Sequence, residues 1–214
     1  MFDSMKDQIR KMINPAKDVL ILVDVQNDFL PGGALAVPDG DQILPAIEAI
    51  APLFSNIVLT QDWHPAGHSS FASAHPGKVP FETFEAPYGT QVLWPDHCVI
   101  GSEGARLRID PYTRQRAQMI VRKGFRPDVD SYSAFLENDK KTLTGLAGFM
   151  RDRGVERAFF AGLATDFCVG FSAIDARRMG FGAVLLDQAC RGISSEGVEA
   201  RKAEMRDAGV QMLE

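Results

Sequence analysis

The sequence has few cysteines, no long apolar run and no excess of positive charge, and each shortage excludes something. Cys98, Cys168 and Cys190 are the three cysteines in 214 residues. An odd and widely spaced set makes no disulfide framework, so reduced thiols in a cytosolic protein are expected. The apolar run Val19–Val23 falls far short of the roughly 20 residues that span a bilayer. Residues 1–17 mix Asp3, Lys6, Asp7, Arg10 and Lys11 with isolated apolar residues. No targeting leader is expected from them, which leaves the cytoplasm as the default location. A formal net charge of −5 gives nucleic-acid binding no global electrostatic support. Phosphate loops are also missing. Pro31-Gly32-Gly33 after the first apolar run matches neither GxGxxG nor GxxxxGK[ST], so dinucleotide binding lacks its main support.

What is present is ordinary globular usage, 45% hydrophobic and 24% charged, which excludes a disordered tail or a collagenous repeat. A chain of this length buries roughly 70% of its unfolded surface and needs no disulfide to fold. Short apolar runs alternate with helical patterns. Val19–Val23, Ile57–Thr60 (running on to Asp62), Met119–Val121 (ending at Lys123), Ala158–Leu163, Ala183–Leu186 and Val210–Leu213 read as strands. Ile43, Ile47, Ile50 and Phe54 form a helix stripe over Asp41–Phe54, with Pro45 tolerated in the first turn. Leu143, Leu146, Ala147 and Met150 form another, stopped near Arg153-Gly154. Asp166–Met179, with Phe167, Phe171 and Ile174 toward the core, and Ser194–Ala208 complete the helices. The pattern predicts one α/β domain over 1–214. It is a three-layer arrangement, a mainly parallel six-stranded sheet with helices on both faces. An irregular excursion at about 63–117 interrupts it, rich in proline and holding all four histidines.

In such sheets ligands bind at the C-terminal edge, near the switch in strand order. Asp24, Asp62, Lys123 and the segment after Leu163 stand where four apolar strands end. Asp62 and His64, two apart on an extended chain, can face one ion. His68, His75 and His97 are candidates for a third ligand. Two imidazoles and a carboxylate suit Zn²⁺, Fe²⁺ or Mn²⁺; the alternative is a turn opened by Asp62 and His64-Pro65. Cys168 lies at a helix start, where a thiolate and an oxyanion are both favoured; the alternative is a small buried hydrophobe. Cys98 and Cys190 are read as such hydrophobes. Asp24, Lys123 and Cys168 would make base, cation and nucleophile of a hydrolytic set. Phe29, Trp63, Trp94 and Tyr132 would wall a crevice for a flat ligand, or simply pack the excursion.

Five segments carry a resemblance across nearly the whole chain from Val19. They are Val23-Asp-Val-Gln-Asn-Asp-Phe29, Thr60-Gln-Asp-Trp-His-Pro65, Leu93-Trp-Pro-Asp-His-Cys98, Val121-Arg-Lys-Gly124 and Gly162-Leu-Ala-Thr-Asp-Phe-Cys168-Val169. With them the chain resembles the isochorismatase-like cysteine hydrolases, and within those the nicotinamidases, also called pyrazinamidases. The resemblance implies an isochorismatase-like fold and a catalytic triad of Asp24, Lys123 and Cys168. It implies one divalent metal, zinc foremost with iron or manganese as alternatives, on Asp62, His64 and His97. His68 is placed to join that shell, and His75 matches no ligand. It further implies a cis peptide before Ala164, an oxyanion hole of the Ala164 and Cys168 N–H groups, and a ring pocket walled by Phe29, Trp94 and Tyr132. The implied reaction is nicotinamide to nicotinate and ammonia through a thioester, with the ring nitrogen at the metal and pyrazinamide as a further substrate. No nucleic-acid or membrane partner is implied, and a homo-oligomer is left open. The rivals are a sister amidohydrolase acting on ureido or carbamoyl groups without the metal trio, a non-catalytic metal-binding module and, more distantly, a Rossmann-type oxidoreductase.

Overall fold

The computed structural model describes residues 2–213. Six parallel strands form its main sheet: β1 (Asp18–Val23), β2 (Asn56–Asp62), β5 (Met119–Lys123), β6 (Arg157–Leu163), β7 (Gly182–Arg191) and β8 (Gln211–Leu213), in the order β5-β2-β1-β6-β7-β8. The chain builds outward from β1 to β5, then returns to the other side of β1 and builds outward again to β8. The β1/β6 boundary is therefore the switch point, where a parallel sheet leaves a crevice at its C-terminal edge.

Side chains of period two send alternate residues of the central strands to opposite faces. Leu20, Leu22, Ile57, Leu59 and Phe159 meet α1 (Asp3–Met12) and α2 (Leu44–Ile50) through Met5, Ile9, Ile47 and Ile50. Val19, Ile21, Val23, Val58 and Phe160 meet α4 (Leu146–Asp152), α5 (Gly170–Arg178) and α6 (Ser195–Asp207) through Leu146, Met150, Ala173, Ile174 and Met205. Helices thus cover both faces, as expected. At the switch point β6 passes β1 so closely that a Cβ on Gly162 would stand 2.1 Å from the Val23 carbonyl oxygen; only glycine fits there, at φ +126°.

Several boundaries differ from the sequence reading. The single helix expected over Asp41–Phe54 is three short pieces, 3₁₀ at Gly40–Ile43, α2, and 3₁₀ at Ala51–Leu53, with Pro45 and Pro52 at the seams. The last helix but one does not start at Asp166. A π-type turn over Thr165–Val169 comes first, with Phe167 at φ −122°, ψ −106°, and α5 begins at Gly170. Phe167 and Phe171 are only half-buried, and Ile174 alone of the three is buried. The excursion is not structureless. It holds an antiparallel hairpin of β3 (Thr83–Ala86) and β4 (Gly89–Val92) and the short helix α3 (Pro111–Arg116). Among the described residues no helix is long and apolar enough to cross a membrane.

Candidate active site

Asp24 follows β1, Asp62 ends β2, Lys123 ends β5 and Cys168 lies in the π-type turn after β6. The sheet brings all four to one place. The Lys123 side chain is completely buried. Its ammonium lies 2.8 Å from Asp24 Oδ2, 2.7 Å from Asp62 Oδ1, 2.9 Å from the Ser131 carbonyl oxygen and 3.4 Å from Cys168 Sγ. Burial works against the charge, but Asp24 and Asp62 outweigh it and hold the lysine pKa well above its ordinary value.

Asp24 sits in a left-handed conformation at φ 47°. Thr60 fixes it twice: its hydroxyl donates to Asp24 Oδ1 at 2.5 Å and accepts from the Asp24 N–H at 3.0 Å. Burial pushes the Asp24 carboxyl upward, Lys123 pulls it back in part, and the net shift is up. The Cys168 thiol is also pushed well up, by burial first. Lys123 lowers it, while Asp24 and Asp62 raise it again. The lowered thiol pKa expected beside a cation at a helix start is therefore not what the site provides. It provides a buried thiol beside a buried carboxyl group, with a side-chain oxygen of Asp24, one of Asp62 and Cys168 Sγ all within 4.8 Å of one another.

Asp62 faces the other way as well. His64 Nε2 and His97 Nε2 approach the same oxygen, Asp62 Oδ2, at 3.3 and 3.4 Å. His64 Nδ1 bonds the Gly124 carbonyl at 2.8 Å, and His97 Nδ1 bonds the Pro95 carbonyl at 2.8 Å. A carbonyl oxygen only accepts, so each Nδ1 carries a ring proton, and Nε2 is the nitrogen that each ring can offer to an ion. With those nitrogens unprotonated, three acceptors converge in a buried place. A cation is the chemistry that resolves this, and the donor set fits a divalent metal such as Zn²⁺, Fe²⁺ or Mn²⁺. The Asp62 carboxylate feels the same local field. Burial raises its pKa, but the Lys123 ammonium, foremost among the opposing influences, helps hold it well below the ordinary range.

The surrounding backbone is shaped for this. Gly124 sits at φ +68°, and a Cβ there would stand 2.4 Å from His64 Cε1. Gln26 clamps the main chain of Asp62 from both sides, its Nε2 donating to the carbonyl and its Oε1 accepting from the N–H, each at 2.8 Å. His68 packs against His64 with ring centroids 4.5 Å apart and planes tilted by 46°, but both its nitrogens are engaged, Nδ1 with Ser70 Oγ and Nε2 with the Arg126 carbonyl. His75 bonds the Ser69 carbonyl and packs on Phe84.

A cleft of about 380 Å³, including its mouth, opens onto Cys168, Asp62 and His97. Phe29, Trp94 and Tyr132 line it, and so does Ala164, whose peptide bond with Leu163 is cis. Trp63 does not line it; it stacks under the Arg122 guanidinium at 4.2 Å. Phe167, assigned to the core by its spacing, is a wall of this cleft, edge-on to Trp94 at 4.8 Å and to Tyr132 at 5.4 Å. Asp130 also lines the cleft. Sequence reasoning passed over Asp130, Gln26, Thr60 and the Ser131 carbonyl. Gln26 and Thr60 lay inside quoted motifs, two residues from Asp24 and Asp62 respectively, whereas Asp130 and Ser131 carry no spacing signal.

Residues 18–214 match the family model described as isochorismatase domain. A nicotinamidase of Acinetobacter baylyi is 50% identical over 197 residues, 91% of each chain. Among solved structures, a nicotinamidase/pyrazinamidase of Acinetobacter baumanii superposes with a TM-score of 0.91 at 47% identity, over 94% of this chain and 98% of that one. A protein from L. infantum in complex with nicotinate gives 0.82 at 42% identity, over 94% of both. A pyrazinamidase of Pyrococcus horikoshii in complex with zinc gives 0.76 at 36% identity, over 92% of this chain and 99% of that one.

Proposed function

The chain belongs to the isochorismatase domain family, and from that membership and the geometry of the crevice we infer that it is a nicotinamidase. It hydrolyses nicotinamide to nicotinate and ammonia with Cys168 as nucleophile. One observation carries this reading: a buried ammonium, Lys123 Nζ, lies 2.8 Å from Asp24 and 3.4 Å from the Sγ of Cys168, and Cys168 lines an aromatic-walled cleft.

Asp24 takes the thiol proton of Cys168 and becomes neutral, and Lys123 balances the thiolate that results. The sulfur attacks the amide carbon while the ring lies among Phe29, Trp94 and Tyr132. The N–H groups of Ala164 and Cys168 hold the developing oxyanion, each such donor worth roughly 3–4 kcal/mol in the transition state. Asp24 returns the proton to the departing nitrogen, and ammonia leaves a thioester on Cys168. A water, deprotonated by Asp24, adds to the thioester carbon. Nicotinate leaves, and the proton goes back to sulfur. Asp62, His64 and His97 would hold the metal, which supplies positive charge to orient the ring nitrogen and a water. Zinc is the first choice for that ion, with iron or manganese as alternatives, and pyrazinamide is a second substrate. Free thiols at Cys98, Cys168 and Cys190 support a reducing, cytoplasmic setting.

The test is ammonia release from nicotinamide by the metal-replete protein beside Cys168→Ala and Asp24→Asn. Release by the wild type alone supports the reading. No release by the wild type overturns it.

A further inference from the structure

Tyr132 is held at both ends by one pair of amide side chains. Its hydroxyl lies 2.8 Å from Gln91 Nε2 and accepts from Trp94 Nε1 at 3.3 Å. Its main-chain N–H donates to Asn138 Oδ1 at 3.1 Å, and Asn138 Nδ2 donates to Gln91 Oε1 at 3.0 Å. The loop closes: Gln91 to the hydroxyl, Asn138 to the backbone, and the two amides to each other. Gln91 is 1% exposed and comes from β4 of the hairpin, 41 residues before Tyr132. The two protons of its Nε2 are shared among three oxygens at 2.8 Å, those of Tyr132, Asp130 and the Val92 carbonyl. So many satisfied contacts around one buried amide fix its orientation, and with it the angle of the phenol ring.

That ring faces the cleft. Tyr132 meets Trp94 at 85° and Phe167 at 71°, so three mutually upright rings frame the place where a flat substrate would lie. We propose that Gln91, which lies outside the cleft lining, is a positioning residue for substrate binding. Through the Tyr132 hydroxyl it sets the ring wall that reads the flat face of the amide substrate. The proposal rests on the nicotinamidase reading and adds to it a residue from the hairpin that touches neither the substrate nor the reacting atoms.

The experiment is a double-mutant cycle on nicotinamide hydrolysis with Gln91→Met, which keeps the volume and removes the amide, and Tyr132→Phe, which removes the hydroxyl alone. Each single variant is expected to raise KM by about ten-fold with kcat within about three-fold of the wild type. The double variant is expected to be no worse than Gln91→Met, because both changes break the same contact. A purely structural glutamine would instead lower the yield of folded enzyme and leave the KM of the folded fraction unchanged. Tyr132→Phe with a wild-type KM overturns the proposal even if Gln91→Met does not fold. Additive losses in the double variant, or a loss confined to kcat, overturn it as well. Failure of the wild type to hydrolyse nicotinamide would strike the underlying reading, and is distinguished by the same control.

Discussion

Strand β1 carries a buried carboxylate at each end, and the two are treated differently. Asp18, at the start, has both oxygens bonded: Oδ1 to Arg157 Nε at 3.0 Å, and Oδ2 to Arg157 Nη2 and the Asn14 N–H at 2.6 Å each. The guanidinium is partly in solvent, with its side chain 27% exposed, and it also reaches the Met12 carbonyl. This is a saturated, bidentate pair that fastens α1 and β6 to the start of β1. Asp24, one residue past the other end, shares its cation with a second carboxylate, a thiol and a carbonyl, all out of water. Saturation makes a clamp; competition for one buried charge makes a site whose protons can move. An acid at an end of β1 paired with a base from another strand thus serves stability at one edge and chemistry at the other.

The comparison can be broken by mutating each end. Cys168→Ala and Asp24→Asn are expected to cut kcat/KM by about 10³-fold or more with little change in melting temperature, since they remove parts of one acting unit. Retained turnover in either would sink the division of labour. Removing metal with a chelator is expected to lower turnover by about a hundred-fold, with recovery on adding Zn²⁺, Fe²⁺ or Mn²⁺. Full activity in metal-free protein would point back to a metal-independent sister hydrolase. Gly124→Ala puts a Cβ where His64 stands, 2.4 Å from Cε1. Metal content measured by elemental analysis and kcat/KM should both fall, by about ten-fold or more. At the far end, Arg157→Met leaves Asp18 buried without its cation. Urea unfolding should show a loss of about 2–3 kcal/mol, with kcat per folded molecule unchanged. A large kcat loss there would show that the two edges are not separate.

Much of the frame was legible because burial on both faces writes continuous apolar runs, as in Val19–Val23 and Ala158–Leu163. The strand ends could then be read as an edge carrying Asp24, Asp62, Lys123 and Cys168. Their convergence could not, because it depends on strand order, and letters 24, 62, 123 and 168 do not encode which strands are neighbours. The N-terminal helix was legible in hindsight: Met5 and Ile9, four apart, are its two buried residues. The π-type turn was not, since an extra residue in one helical turn leaves no mark in hydrophobic spacing, and it is what moved Phe167 from expected core to cleft wall. The hairpin was hidden by its short strands, whose alternation in Thr83–Ala86 and Gly89–Val92 spans only four residues each.

The outward-then-outward winding of the sheet has a consequence for assembly. Asp24, Asp62, His64, His97 and Lys123 all belong to the wing laid down first, and Cys168 to the wing laid down second, joined along β1 and β6. A break in the chain at the exposed Lys140-Lys141 would give two pieces, one holding Asp24, Lys123 and the trio Asp62, His64 and His97, the other holding Cys168. Neither would turn over an amide alone, and regained turnover on mixing would be a direct optical or chemical gauge of how well the halves find each other.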